Sequence, residues 1–297
     1  MNNSNNFRWT LFVASCLIAI GHMSMALAMD LPAITLADKP VRIIRGVTVF
    51  KAVVGVPVQK DDIVETGASG AQIEVSKELM FALAPETKIY LLNTQFSESN
   101  HVEIVLINGW LKVFDKRSGA SGRVLITTPS IRVSLEAGFS IVHVSAGKTE
   151  MFAEEGLQTV AEFNEAGKLG AEMKIGREQY ASRLVGQSLK IIPRPPKEFI
   201  AEMPIIFRDP VVAAPDRLKG IKMQAVKERE LDYPDIEHWL KSNIAARKSF
   251  VNRFRPRLKD ADFRKQLDAQ LGQTVDWKPI LHPPPPPKPP EEVPAKD

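Results

Sequence analysis

Five cations stand close together around residue 250: Arg247, Lys248, Arg253, Arg255 and Arg257. A guanidinium fork can pair two N–H donors with a phosphate or a carboxylate, and an ammonium adds a compact point charge. The cluster is therefore a candidate patch for an anionic partner. Lipid A, phospholipid headgroups and peptidoglycan peptides all carry such groups. Asp260 and Asp262 follow closely enough to neutralise part of the charge, so the competing reading is a solvated helix face.

Other side chains with chemical potential are scattered. Beyond residue 28 the histidines are His101, His143, His238 and His282, and none stands three or four residues from another. A helical metal pair is thus excluded, and the single cysteine of the chain, Cys16, cannot complete a thiolate site or a redox pair. His143 alternates with Val142 and Val144, which places it on the opposite face of a strand; it reads as a structural histidine rather than a general base. Asp61, Asp62 and Glu65 could in principle ligate calcium, yet they lack the oxygen-rich alternation of a calcium loop and read as a solvated turn. There is no Gly-x-Ser-x-Gly, no phosphate-binding loop and no dinucleotide fingerprint. No catalytic residue, metal site or cofactor is assigned. Strands can still juxtapose two carboxylates, so a cell-wall-active hydrolase is the alternative to a binding module.

The elements that would hold these residues begin with an export segment. Arg8 is followed by the apolar run Trp9–Ile20, and small residues close the segment at Ala26-Leu27-Ala28. This reads as a signal peptide over 1–28, cleaved between Ala28 and Met29. Twelve apolar residues reach only about 18 Å as a helix, short of the roughly 30 Å hydrocarbon core. The expectation is a periplasmic chain without a permanent membrane span; the alternative is anchoring to the inner membrane by an uncleaved signal. Val13-Ala14-Ser15-Cys16 resembles a lipoprotein box, but too little apolar length precedes it. Cleavage would remove the only cysteine, so the exported chain would depend on its core for stability.

Lys and Arg total 39 against 35 acids, a net charge of +4, which is too small an excess to indicate a nucleic-acid partner. From Val41 to Ile192 the pattern is that of strands, as in Ile131-Arg132-Val133-Ser134-Leu135. Fourteen of the 17 glycines fall between Gly46 and Gly186, and Gly138, Gly147, Gly156, Gly167 and Gly176 recur at the spacing of hairpin turns. No helical stretch interrupts the region, which argues against βαβ units. The fold class is mainly β over 41–192: a glycine-punctuated roll, sandwich or solenoid.

A proline-rich connector spans 193–215, with Pro193, Pro195, Pro196, Pro204, Pro210 and Pro215 forcing extended chain. Its apolar island Met203–Phe207 is expected to lie against the β domain as a strap. A helical extension follows over 216–277. Asp235 is expected to cap a helix carrying Ile236, Leu240, Ile244, Phe250, Val251 and Phe254 up to Pro256. A second helix from Asp260 to Gly272 buries Phe263, Leu267 and Leu271. These helices are too short to stand alone and must pack on each other, on the β domain or on a partner. Residues 278–297 form a proline-rich tail, with five consecutive prolines from Pro283.

Within the β region, Ile44-Arg45-Gly46-Val47-Thr48-Val49, then Val58-Gln59-Lys60-Asp61-Asp62-Ile63-Val64-Glu65-Thr66-Gly67, then Leu83–Ile89 follow one another in an order that resembles the opening of a FecR domain. Ile107-Asn108-Gly109-Trp110-Leu111-Lys112-Val113 and Val124–Val133 are similar to its second half, and Asp61 stands where the family has a turn glycine. The resemblance covers about 125 residues, from Arg42 to roughly Phe163. It implies a strand-only periplasmic module used for protein contact or regulation. The namesake sensors relay the state of an outer-membrane receptor to a sigma factor. Because an export segment opens this chain, that relay is not carried over. The expectation is a free-standing, exported, non-enzymatic module with a protein or cell-envelope partner.

Overall fold

The computed structural model describes residues 31–95, 100–117, 122–215, 221 and 223–284. The segment read as a signal peptide, with Cys16 and the expected Ala28–Met29 cleavage site, and the tail from residue 285 onward lie outside the described residues.

Among the described residues there are seventeen strands. The first seven are β1 (Ala33–Ala37), β2 (Val41–Arg45), β3 (Thr48–Ala52), β4 (Ile63–Glu65), β5 (Ala71–Ser76), β6 (Leu79–Leu83) and β7 (Lys88–Asn93). A long β8 (His101–Asp115) precedes β9 (Arg123–Thr127), β10 (Ile131–Leu135), β11 (Gly138–Ser145), β12 (Lys148–Glu155) and β13 (Gln158–Glu162). The short β14 (Met173–Ile175), β15 (Tyr180–Leu184) and β16 (Lys190–Ile192) complete the strand-rich region, and β17 (Val226–Glu230) returns after the connector.

The pairings resolve into two open sheets that share β8. The first runs β1-β5-β6-β8-β11-β12-β15-β16. The second runs β17-β3-β2-β4-β7-β8-β9-β10-β13-β14. Every described strand pair is antiparallel except β8–β9, where His101 lies opposite Arg123 and Val105 opposite Thr127. Chain length explains how consecutive strands come to run parallel. A straight 15-residue strand would separate its ends by roughly 48 Å, whereas the eight steps from Asp115 to Arg123 reach about 28 Å at most. β8 must therefore fold back on itself. It does so at Gly109, which takes φ 91°, a conformation that a side chain would strain. Residues before the bend pair in the second sheet and residues after it in the first.

Alternation along each strand sends one set of side chains into a single core between the sheets. Ile43, Val64, Ile89, Leu91 and Ile104 meet Phe81, Val113, Val142 and Met151 there, each at most 1% exposed. The intervening residues face outward, and both outer faces are apolar as well. A sandwich with two apolar outer faces needs a further layer on each side. The downstream chain supplies both.

On the first sheet, Met80, Ala82, Phe114, Ile141 and Tyr180 are covered by the connector. This segment contains a short helix α1 (Lys197–Glu202) and a 3-10 turn (Ile205–Phe207). Its buried residues Phe199, Met203, Phe207 and Val211 recur every four positions. The expected strap is thus present, but only half of its apolar island faces inward: Ile205 and Ile206 are 74% and 55% exposed.

On the second sheet, Ile44, Val49, Ile63, Tyr90 and Val105 are covered by the helical layer. That layer contains α2 (Tyr233–Lys241), α3 (Arg247–Phe254), a 3-10 turn (Arg255–Lys259), α4 (Ala261–Leu271) and α5 (Lys278–Leu281). Of the environments open to the helices, they pack on each other and on the β sandwich.

Several local expectations are corrected. Within the segment read as helical extension, Val226–Glu230 is a strand that pairs with β3, because its charged alternation suits a solvated sheet edge. Asp232, not Asp235, is the cap of α2; Asp235 sits one turn in, and its carboxylate accepts the Asp232 amide at 2.8 Å. The expected single helix to Pro256 is broken between Lys241 and Arg247, where Ser242 turns extended (ψ 142°) and Ile244 drops into the core. α4 matches its expected limits, with Asp260 accepting from the Phe263 amide at 3.0 Å and Phe263, Leu267 and Leu271 buried. Helical structure reaches into the segment read as tail, since α5 buries Leu281 beside Trp277. β1, ahead of the expected domain start, pairs with β5. Asp61, in the place of the family's turn glycine, adopts φ 67°, a left-handed conformation that Asp tolerates better than most side chains. Among the described residues no helix is long and apolar enough to cross a membrane.

Candidate functional site

The five cations of the candidate patch serve different ends. Arg253 lies across the seam between helical layer and sandwich. Its guanidinium donates to the carbonyl oxygens of Ile44 (2.9 Å), Gly46 (3.1 Å) and Asp61 (2.6 Å). The rings of Tyr90, Phe250 and Phe254 lie within 6.0 Å of it. Arg257 donates to the carbonyl of Leu231 at 2.7 Å and to Asp260 at 3.1 Å. Both side chains act as internal fasteners, a role that sequence spacing cannot separate from a surface role. Arg255 and Lys248 are exposed.

Arg247 and Lys248 line a cleft of about 180 Å³ where the helical layer meets the sandwich. Thr127 and Thr128 at the end of β9 form one wall, with Phe163 and Gly167 from the turn after β13. Asn243 to Lys248, the break before α3 and its first residues, form the other. Two of the lining residues are cationic and none is acidic. Asp276 stands behind the cleft, 2.9 Å from Arg247 Nε. The threonine hydroxyls are occupied: Thr127 donates to Glu103 and Thr128 to the Ile131 carbonyl. Among the described residues no hydrogen bond engages the side chain of Asn243 or Lys248.

A cluster of titratable side chains lies elsewhere, on the outer face of the first sheet. His143 Nδ1 is 3.1 Å from Glu150 Oε2 across the β11–β12 pair, and Lys148 Nζ is 2.6 Å from Glu150 Oε1. Tyr180, from β15, donates to Glu150 Oε1 at 2.5 Å. Trp110 stacks flat on His143, with centroids 3.9 Å apart and planes 9° apart. Burial pushes the Glu150 carboxyl up, but its hydrogen bonds from His143, Lys148 and Tyr180 outweigh burial and hold it at about 2. Burial and the Glu150 carboxylate push the Tyr180 hydroxyl the other way, upward. Glu150 is therefore a permanent anion tethering three strands, the opposite of a carboxyl poised to give up a proton near neutrality. The strand position of His143 was legible in the sequence; its partners on β8, β12 and β15 were not, because register decides them.

The acidic turn also disperses. Asp62 accepts from Arg45 Nε at 2.8 Å and Arg45 Nη2 at 2.7 Å, and from the Gln59 amide at 3.0 Å. Burial is the largest influence on Asp62 and pushes its carboxyl up, while Arg45 and the Gln59 amide pull the other way. Asp61 accepts the hydroxyl of Tyr90. Glu65 accepts the Trp239 indole at 3.1 Å and lies 3.5 Å from Arg42, which also pairs with Asp235. Two carboxylates thus converge on one guanidinium, and Arg229 reinforces Asp235 at 2.5 Å. Despite burial, Arg229 and the Asp232 amide hold Asp235 below the ordinary carboxylate range. Of the other histidines, His101 lies 3.7 Å from Glu103 and His282 2.8 Å from Asp268, while His238 is exposed. Among the described residues no group of three or more potential ligands is arranged to hold a metal ion.

Comparison with known proteins finds no matching family model and no matching curated protein. Among solved structures, two of proposed anti-sigma factors from Parabacteroides distasonis ATCC 8503 are similar over part of the fold. Their identities are 12% and 11%, the TM-score is 0.39 for each, and each alignment covers 47% of this chain. The chain spans 62% and 63% of the length of those two proteins.

Proposed function

We propose that this protein is an exported FecR-domain module of the cell envelope, periplasmic after cleavage between Ala28 and Met29, which binds a protein or envelope component and performs no reaction. One observation carries this reading. The buried acids Glu150 and Glu65 on the two sheets are clamped by the chain's own cations and roofed by its own downstream segments, whereas Lys248, Arg255 and the Arg247 cleft stand open on the helical layer. Groups clamped in this way suit stability and rigidity. The open ones suit recognition of an anionic surface. The ordered resemblance of residues 42–163 to FecR domains supports the same class of role.

Fractionation of the producing cell with N-terminal sequencing tests the location: a chain starting at Met29 in the periplasmic fraction is expected, and an intact precursor in the cytosol overturns the proposal. Cross-linking of the full-length exported chain in intact envelopes tests the role. A defined adduct that weakens in Arg247→Ala/Lys248→Ala is expected; hydrolysis of purified peptidoglycan by the chain would replace binding with catalysis. The full chain is required, because deleting the helical layer would bare Ile44, Val49, Ile63 and Tyr90.

A further inference from the structure

We propose that the cleft between Thr127, Phe163 and Gly167 on one side and Asn243, Arg247 and Lys248 on the other is a phosphate-binding site. The inference rests on the reading of the chain as a binding module and names the group that the module recognises. Three features point to it. The lining offers two cations and a carboxamide and no acid, so the enclosed volume favours an anion. About 180 Å³ is room enough for one tetrahedral oxyanion. The donors come from three separate side chains, two of them unengaged among the described residues, which suits three oxygens held in different directions better than one planar carboxylate.

The first turn of α3 is not the source of the attraction. The amides of Arg247, Lys248 and Ser249 already donate to the carbonyls of Ile244, Ala245 and Ala246. The side chains must therefore do the work. Asp276 is the internal competitor: its carboxylate lies 2.9 Å from Arg247 Nε without a hydrogen bond to it, so the guanidinium charge is shared between Asp276 and any anion in the cleft. The site also bridges two layers, so an occupant would tie the β9 end of the sandwich to the helical cover and stabilise both by mass action.

The test is calorimetric titration of the purified full-length chain with inorganic phosphate at low ionic strength. Flotation with phosphatidylglycerol vesicles, against phosphatidylcholine vesicles, runs beside it. Saturable phosphate binding is expected, weakened about tenfold or more in Arg247→Ala/Lys248→Ala. Asp276→Asn removes the competing carboxylate and is expected to tighten binding, a gain that misfolding cannot imitate. Arg194→Ala, exposed and outside the cleft, is expected to leave it unchanged. Vesicle binding lost in the same double variant identifies a lipid headgroup as the source of the phosphate; phosphate binding without vesicle binding identifies a soluble one. Absence of saturable phosphate binding, or binding indifferent to Arg247, Lys248 and Asp276, overturns the site. Either result leaves the export and cross-linking outcomes untouched, so the two proposals fail separately.

Discussion

The indole N–H of Trp239 donates to the carboxylate of Glu65 at 3.1 Å, joining residues 174 positions apart across the boundary between helical layer and sandwich. Both side chains are buried, so neither has water as a substitute partner. Trp239→Phe keeps most of the ring but leaves Glu65 one donor short. It is expected to cost about 1–3 kcal/mol in urea unfolding. Trp239→Ala adds a cavity and is expected to cost about 3–5 kcal/mol.

Arg253 satisfies three carbonyl oxygens that would otherwise lie at an internal seam. Arg253→Lys is expected to recover little of the wild-type stability, because one ammonium cannot reproduce a planar fork aimed at three acceptors. A loss of roughly 2 kcal/mol or more is expected for Arg253→Ala, measured by the denaturant midpoint. A change within error would mean that water replaces the guanidinium freely.

Acid stability follows from Glu150. Its folded value of about 2 lies below the ordinary 4.5, so the unfolded chain binds the proton more readily. The contribution is complete above the ordinary value and disappears as pH falls from about 4.5 towards 2. Thermal melts over that window should show stability rising with pH, with a visibly shallower slope in Glu150→Gln. Equal slopes would mean that Glu150 is not the anion it is taken to be.

Gly109 is where β8 passes from one sheet to the other. A Cβ there would stand 2.4 Å from Thr87 Oγ1 and 2.6 Å from Thr87 Cα, on top of the strain of φ 91°. Gly109→Ala is expected to destabilise by about 3 kcal/mol or more. Gly46→Ala shares the left-handed backbone but meets nothing within 4 Å, so it should cost far less. Similar losses for the two would show that the close approach to Thr87 is relieved cheaply.

Lys112 is 2% exposed and fastens the connector to the first sheet, donating to the carbonyls of Phe207 (2.7 Å) and Asp209 (3.2 Å) while pairing with Glu154 at 2.9 Å. Lys112→Met retains the apolar stem and removes the fastening. Hydrogen exchange is expected to accelerate over residues 203–212 while the strands stay protected. Uniform acceleration throughout the sandwich would mean that the charge supports the whole fold.

Much of this architecture can be read along the chain because its causes are local. Alternation in Ile131–Leu135 and the glycines at 138, 147, 156 and 167, all with positive φ, specify strands and turns wherever they sit. Asp260, Phe263, Leu267, Leu271 and Gly272 likewise define α4 by capping and periodicity alone. Composition and the apolar run Trp9–Ile20 closed by Ala26-Leu27-Ala28 suffice to set the expectation of a cysteine-free envelope protein. Register and layering belong to the tertiary structure. That β8 bends to serve two sheets depends on Thr87 meeting Gly109, and that the connector and helices roof opposite faces depends on which outer stripes are apolar after pairing. The cationic run around residue 250 shows the same division. Its charge is visible in the sequence, but Arg253 and Arg257 turn inward to carbonyls while Arg247 and Lys248 face a cleft. Only the packed layers separate a fastener from a binding group, because both use the same guanidinium and differ solely in which acceptors the fold brings within reach.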